Sequence, residues 1–176
     1  HVNLLAPLLL SELLMESLEK SANAKIIYTS SGLHQGTIQF EDIEYLKEFK
    51  GFNAYRQSKL AIILLTRLAA KKLADKKIGI YCFHPGVVKT DLARESNFAM
   101  RTIFLSMGTS PQKGAKTLIH LATESNEKLI SGEYYYKNKV TKTTPESYDL
   151  ELAQNLLLYS EKYLEDWLVT DKGVII

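Results

Sequence analysis

Two short apolar runs limit what this chain can fold into. Lys25-Ile26-Ile27-Tyr28-Thr29-Ser30 and Ile78-Gly79-Ile80-Tyr81-Cys82-Phe83 are apolar without strict alternation, the pattern of strands buried on both faces. Between them lie Leu60, Ala61, Ile63, Leu64, Leu65, Leu68, Ala69 and Leu73, with neither glycine nor proline until Gly79. That spacing predicts a helix over 53–76. Two strands joined by so long a helix pair in parallel, because parallel pairing needs a crossover. A third strand is predicted at 133–136. Further helices are predicted at 2–20, from Ser110-Pro111 to about Thr123, and from Thr144-Pro145-Glu146 to about Trp167, and a short one is expected at 42–50. The order helix, strand, helix, strand, helix, strand, helix gives an α/β chain whose parallel sheet is covered on both faces.

Length and charge narrow the function. At 176 residues the chain has the size of one domain. A formal charge of +2, with lysines scattered among acids, argues against a nucleic-acid partner. Cys82 is the single cysteine, so no intrachain disulfide forms, and its apolar neighbours predict a buried strand residue. The histidines at 1, 34, 84 and 120 lack the spacing of a zinc site, and no metal is expected. Leu4 to Leu14 is interrupted by Pro7, Ser11 and Glu12, which makes it too short and too polar to span a membrane. It also lacks the basic start and small-residue end of a signal peptide. None of the nine glycines forms Gly-x-Gly-x-x-Gly, so the turn that cradles a dinucleotide's phosphates is expected to be absent. Residues 1–176 are thus expected to form a single but incomplete domain that starts inside a fold, with the 25–30 strand at an open edge.

The chemistry centres on Tyr55 and Lys59, in Ala54-Tyr55-Arg56-Gln57-Ser58-Lys59. With ten tyrosines and eighteen lysines, this spacing recurs by chance, and Tyr135 with Lys139 repeats it. Local structure separates the two pairs. Tyr55 opens the predicted helix, where residues four apart share a face. Tyr135 lies in Gly132-Glu133-Tyr134-Tyr135-Tyr136, a β-prone segment in which four residues span about 13 Å. A free phenol titrates near 10, and an ammonium one helical turn away favours its ionised form.

Four segments surround that pair: Val2-Asn3 opening a leucine-rich helix, Ser30-Ser31-x-x-His34, Ile38-x-Phe40-Glu41-Asp42, and His84-Pro85-Gly86-Val87-Val88-x-Thr90. Together they resemble the catalytic half of a short-chain dehydrogenase/reductase. The closest likeness is to the retinol dehydrogenase-like branch, which also includes the WW-domain-containing oxidoreductases and related carbonyl reductases. The resemblance runs from Val2-Asn3 to the last helix. It departs from the branch at Leu4-Leu5-Ala6-Pro7, where polar and glycine residues are usual.

What the resemblance implies is specific. The sheet would be Rossmann-like and doubly wound. Tyr55 would exchange a proton with the substrate oxygen, Lys59 would stabilise the phenolate and hydrogen-bond the nicotinamide ribose, and Ser31, rather than Ser30, would donate to the carbonyl oxygen. Asn3 would hold a water linking the lysine to solvent. Pro85, Gly86, Val88 and Thr90 would meet the nicotinamide, whereas His34 and His84 would be structural. The cofactor would be NAD or NADP, with the branch favouring NADP. The substrate would be a lipophilic alcohol or carbonyl such as a retinoid, steroid or aldehyde, covered by the apolar 98–107 segment. Helices 2–20 and 53–76 would meet a second copy in a homodimer. The rival expectation is a non-catalytic member of the same family, a truncated isoform or interaction module.

Overall fold

The computed structural model describes residues 1–89 and 108–167. Its sheet has four strands, β1 (Lys25–Thr29), β2 (Gly79–His84), β3 (Tyr134–Tyr136) and β4 (Lys139–Val140), in that spatial order. β1 and β2 pair in parallel from Lys25↔Gly79 to Thr29↔Phe83, and β2 and β3 pair in parallel from Cys82↔Tyr134 to His84↔Tyr136. The helices are α1 (Leu5–Leu13), α2 (Met15–Glu19), α3 (Gly51–Lys72), α4 (Pro111–Gly114), α5 (Lys116–Thr123) and α6 (Leu150–Leu164). Ile26, Tyr28, Ile80, Cys82 and Tyr134 face α3 and its neighbours, while Tyr81, Phe83 and Tyr135 join Leu121 and Leu129 on the opposite face. The α/β reading therefore holds, with apolar strands covered on both sides.

Local chemistry sets the element ends. Ser110 accepts the Lys113 N–H ahead of Pro111, and Asp149 accepts that of Leu152 at 2.9 Å, each satisfying a donor that a helix start leaves unpaired. Lys25 turns its ammonium onto the carbonyls of Leu121, Ala122 and Glu124, closing the end of α5 and tying it to β1. The expected helix at 2–20 breaks at Leu14, although Leu14 and Leu18 still donate to the carbonyls of Leu10 and Leu14. The expected helix at 42–50 is instead a single 3-10 turn, Phe40–Asp42. There Asp42 Oδ1 takes the Leu46 and Lys47 amides, offering the backbone an alternative to helix. Likewise Pro145–Tyr148 is a 3-10 turn, and α6 begins after Asp149, whose backbone is extended.

Two features were not expected. Lys137 and Asn138 both take positive φ, 51° and 63°, making the two-residue turn that sends β4 back antiparallel along β3. Lys139 thus lies beside Tyr136 on the next strand rather than about 13 Å farther along the same one. The second feature is where the expected last helix, α6, lies. It packs along α3 and against α1, so every α3 residue from Leu60 to Ala69 is buried within this one chain. That stretch of α3 is thus covered within the chain, by α6 and by the sheet.

Arg67 fixes this arrangement. Its guanidinium donates to the Ser147 carbonyl and hydroxyl at 2.8 Å and to Thr143 Oγ1 at 3.0 Å. It also stacks 3.8 Å over the Tyr148 ring and lies 3.7 Å from Glu133. A buried charge is tolerated when its donors are used in this way.

Candidate active site

β1 and β2 run in register to Thr29 and Phe83, so the segments that leave them, Ser30-Ser31 and Pro85-Gly86, emerge side by side at the carboxyl end of the sheet. In open α/β sheets that is where ligands bind. The first turns of α3 close the same corner. Ser30 N–H continues the ladder to the Phe83 carbonyl at 2.8 Å, and its hydroxyl donates to the Lys59 carbonyl at 2.9 Å. Lys59 returns the contact, its ammonium donating to the Thr29 carbonyl at 3.1 Å.

The same ammonium lies 5.5 Å from the centre of the Tyr55 ring, as a helical i,i+4 pair allows. Both residues are half-buried, and burial lowers the Lys59 pKa by disfavouring the charged form. Ser31 is buried, and its Oγ accepts the Leu33 N–H at 3.1 Å. Asn3 donates to Ser58 Oγ at 3.1 Å, and Ser58 in turn donates to the Tyr55 carbonyl at 2.7 Å. The asparagine thus meets the helix through Ser58, a residue the sequence reading had not singled out.

Gly86 adopts φ +83°, open to glycine and strained for other residues. Val88 bridges in parallel to Thr109, with the Lys89 N–H on the Thr109 carbonyl and the Thr109 N–H on the Val87 carbonyl. A Cβ at Gly114 would stand 2.5 Å from Val88 Cγ2, so this glycine lets α4 press against the loop. Thr90 and the 98–107 segment lie outside the described residues.

The two histidines occupy the same corner. His34 is buried against Tyr134, ring centres 5.3 Å apart, and shares a 2.8 Å hydrogen bond with the Ser31 carbonyl. His84 stacks on Tyr136 at 5.0 Å and presses on Gly32, where a Cβ would stand 3.1 Å from its Nε2. Burial lowers both pKa values, and each ring also feels like charge, His34 from Arg67 and Arg56 and His84 from His34. Cys82 is buried, as expected, and burial raises its thiol pKa to about 12. A cavity of about 210 Å³ lies against α3 at Ala54, Gln57, Ser58 and Ala61, walled by Leu4, Leu5 and Leu156. Tyr55 and Lys59 do not line it. Among the described residues no cluster of acidic, histidine or cysteine side chains could hold a metal ion, and no helix is long and apolar enough to cross a membrane.

Comparison with known proteins points one way. The family whose model matches is short chain dehydrogenase, over residues 1–101. Retinol dehydrogenase 12 of Homo sapiens is 35% identical over 158 residues, 88% of this chain and 50% of that protein. Retinol dehydrogenase 13 of Mus musculus is 34% identical over 165 residues, 88% and 49% of the two chains. The chain spans about half the length of the curated relatives it matches. Among solved structures, an uncharacterized protein from Mycobacterium paratuberculosis superposes with a TM-score of 0.70 over 93% of this chain and 57% of its own at 22% identity, a likeness of fold. An NADPH-bound carbonyl reductase from chicken fatty liver superposes with a TM-score of 0.56 at 27% identity, over 79% of this chain and 53% of its own.

Proposed function

Since the chain belongs to the short-chain dehydrogenase family, we propose that it supplies the proton-handling part of an NAD(P)-dependent oxidoreductase interconverting an alcohol and a carbonyl. The observation that carries this reading is the Lys59 ammonium, held by Thr29 within 5.5 Å of the Tyr55 ring at the carboxyl end of the sheet. When bound, the nicotinamide would supply or accept the hydride. Tyr55 would pass the proton to or from the substrate oxygen. Lys59, positioned by Thr29 and Ser30, would favour the phenolate and keep further N–H donors for the nicotinamide ribose. Ser31 would donate to the oxygen on which charge develops. Asn3, through Ser58, would connect the pair toward solvent.

The residues fit the nicotinamide end of such a cofactor. Gly86 leaves its surroundings open, the nearest atom to a Cβ there being a Tyr136 ring carbon at 3.9 Å, and Pro85 and Val88 flank it; Thr90 joins them in the proposal. The carbonyl reductase neighbour supports NADP, and the retinol dehydrogenase relatives support a lipophilic substrate. The glycine-rich turn for the pyrophosphate would come from residues other than these 176. The decisive assay follows oxidation of NADPH and NADH by the full-length protein with retinal as substrate, against the Tyr55→Phe variant. Turnover in Tyr55→Phe above about a tenth of the parental rate refutes the reading.

A further inference from the structure

The carbonyl oxygen of Ser31 is held twice. The Tyr134 hydroxyl donates to it at 3.0 Å and His34 Nδ1 lies 2.8 Å away, so the imidazole carries its proton on Nδ1 in this contact. All three residues are buried, Tyr134 at 2% exposure, Ser31 and His34 at 6%. Tyr134 reaches Ser31 from two strands away. Its register partner on β2 is Cys82, whose own partner on β1 is Tyr28, and the small cysteine leaves the phenol room to cross the central strand.

These contacts bear on the hydroxyl. Ser31 Oγ accepts the Leu33 N–H, which occupies a lone pair and leaves its own proton to point elsewhere. The turn from Ser31 to His34 is thereby closed at both ends: Leu33 on the side chain, and His34 with Tyr134 on the carbonyl. One buried tyrosine therefore touches the serine from two strands away.

We propose that His34 and Tyr134 are positioning residues for the substrate-facing hydroxyl of Ser31, acting through its backbone carbonyl. This rests on the role proposed above for Ser31. The Ser-x-x-His contact makes the histidine a brace that works as a neutral Nδ1–H donor, and the phenol a brace across the sheet. A hydroxyl held in place needs no reorganisation as charge develops on the substrate oxygen. A loosened one loses rate while cofactor binding is kept.

The test uses the full-length protein and two readouts. Tyr134→Phe and His34→Leu should each lower kcat about tenfold, the order expected when a hydrogen bond to a key group is removed, with KM for NADPH within about twofold of the parent. His34→Asn, whose side-chain N–H can stand where Nδ1–H stood, should recover most of the rate. In parallel, backbone amides 31–35 should exchange with deuterium faster in Tyr134→Phe and His34→Leu. They should be unchanged in Tyr81→Phe, which removes the 2.9 Å bond to Asn126 on the other face of the sheet. Unchanged exchange at 31–35 overturns the proposal, as does an equal loss of kcat in Tyr81→Phe. Faster exchange in a protein that turns over no carbonyl at all supports the bracing and overturns the oxidoreductase reading instead.

Discussion

Ser30 and Lys59 hold one another across the junction of β1 and α3. The serine hydroxyl binds the lysine carbonyl at 2.9 Å while the lysine ammonium reaches back to Thr29, the residue before the serine. This reciprocal contact fixes how the helix carrying Tyr55 meets the loop carrying Ser31. The adjacent serines accordingly do different work, and replacing each tests the division.

Ser30→Ala should act on stability. It removes one buried hydrogen bond, a loss of about 1 kcal/mol, lowering Tm by about 2–4 °C for a protein of this size. Ser31→Ala should act on rate, reducing kcat about 10²–10³-fold as loss of an oxyanion donor does, with a smaller change in Tm. Calorimetry and steady-state kinetics on the two full-length variants separate them, and the reverse pattern would assign the substrate contact to Ser30.

Tyr55→Phe should reduce kcat by about 10²–10⁴-fold, the range for loss of a general acid, and leave NADPH affinity unchanged. Lys59→Ala should weaken both, because that ammonium is placed to serve phenol and ribose. Fluorescence titration of NADPH beside turnover measurements gives the comparison.

Gly114→Ala should weaken cofactor binding without unfolding the protein. Alanine is the better helix former by about 1 kcal/mol, but its Cβ would stand 2.5 Å from Val88 Cγ2. Overpacking of this kind costs about 1–3 kcal/mol, and Val88 is the neighbour that must give. An NADPH Kd raised roughly tenfold, with Tm little changed, is the expected result.

Stability should fall as pH drops below about 6.5, the ordinary histidine value. His34 and His84 both have pKa values depressed by burial, so between those values and 6.5 the unfolded chain binds more protons than the folded one. Stability therefore rises with pH through that window and is lost on acidification. Urea midpoints from pH 8 to pH 5 should show the decline, and His34→Asn should flatten part of it.

The central frame was legible because it rests on local patterns. Unbroken apolar runs fixed β1 and β2, and the absence of glycine and proline fixed α3 within a few residues. The Tyr55 and Lys59 pair followed from helical spacing, and the family from the motifs around it. What escaped was set by contacts between distant residues. The Lys137-Asn138 turn had a local cue in its asparagine, but the charged lysines beside it hid β4. That α6 lies on α3 could not be read, since an apolar face does not name its partner. Nor did any spacing link Tyr134 to Ser31, which are 103 residues apart.

The burial of α3 from Leu60 to Ala69 also bears on the order in which the molecule comes apart. Amides enclosed on all sides exchange only through the largest openings, whereas helix ends fray at little cost. Tyr55 lies in the half-buried first turns of α3, and Lys59 directly abuts the enclosed stretch. Under mild denaturant the tyrosine should gain mobility first and the lysine last, so activity would fade as a local melting of one helical turn, well before the protein itself unfolds.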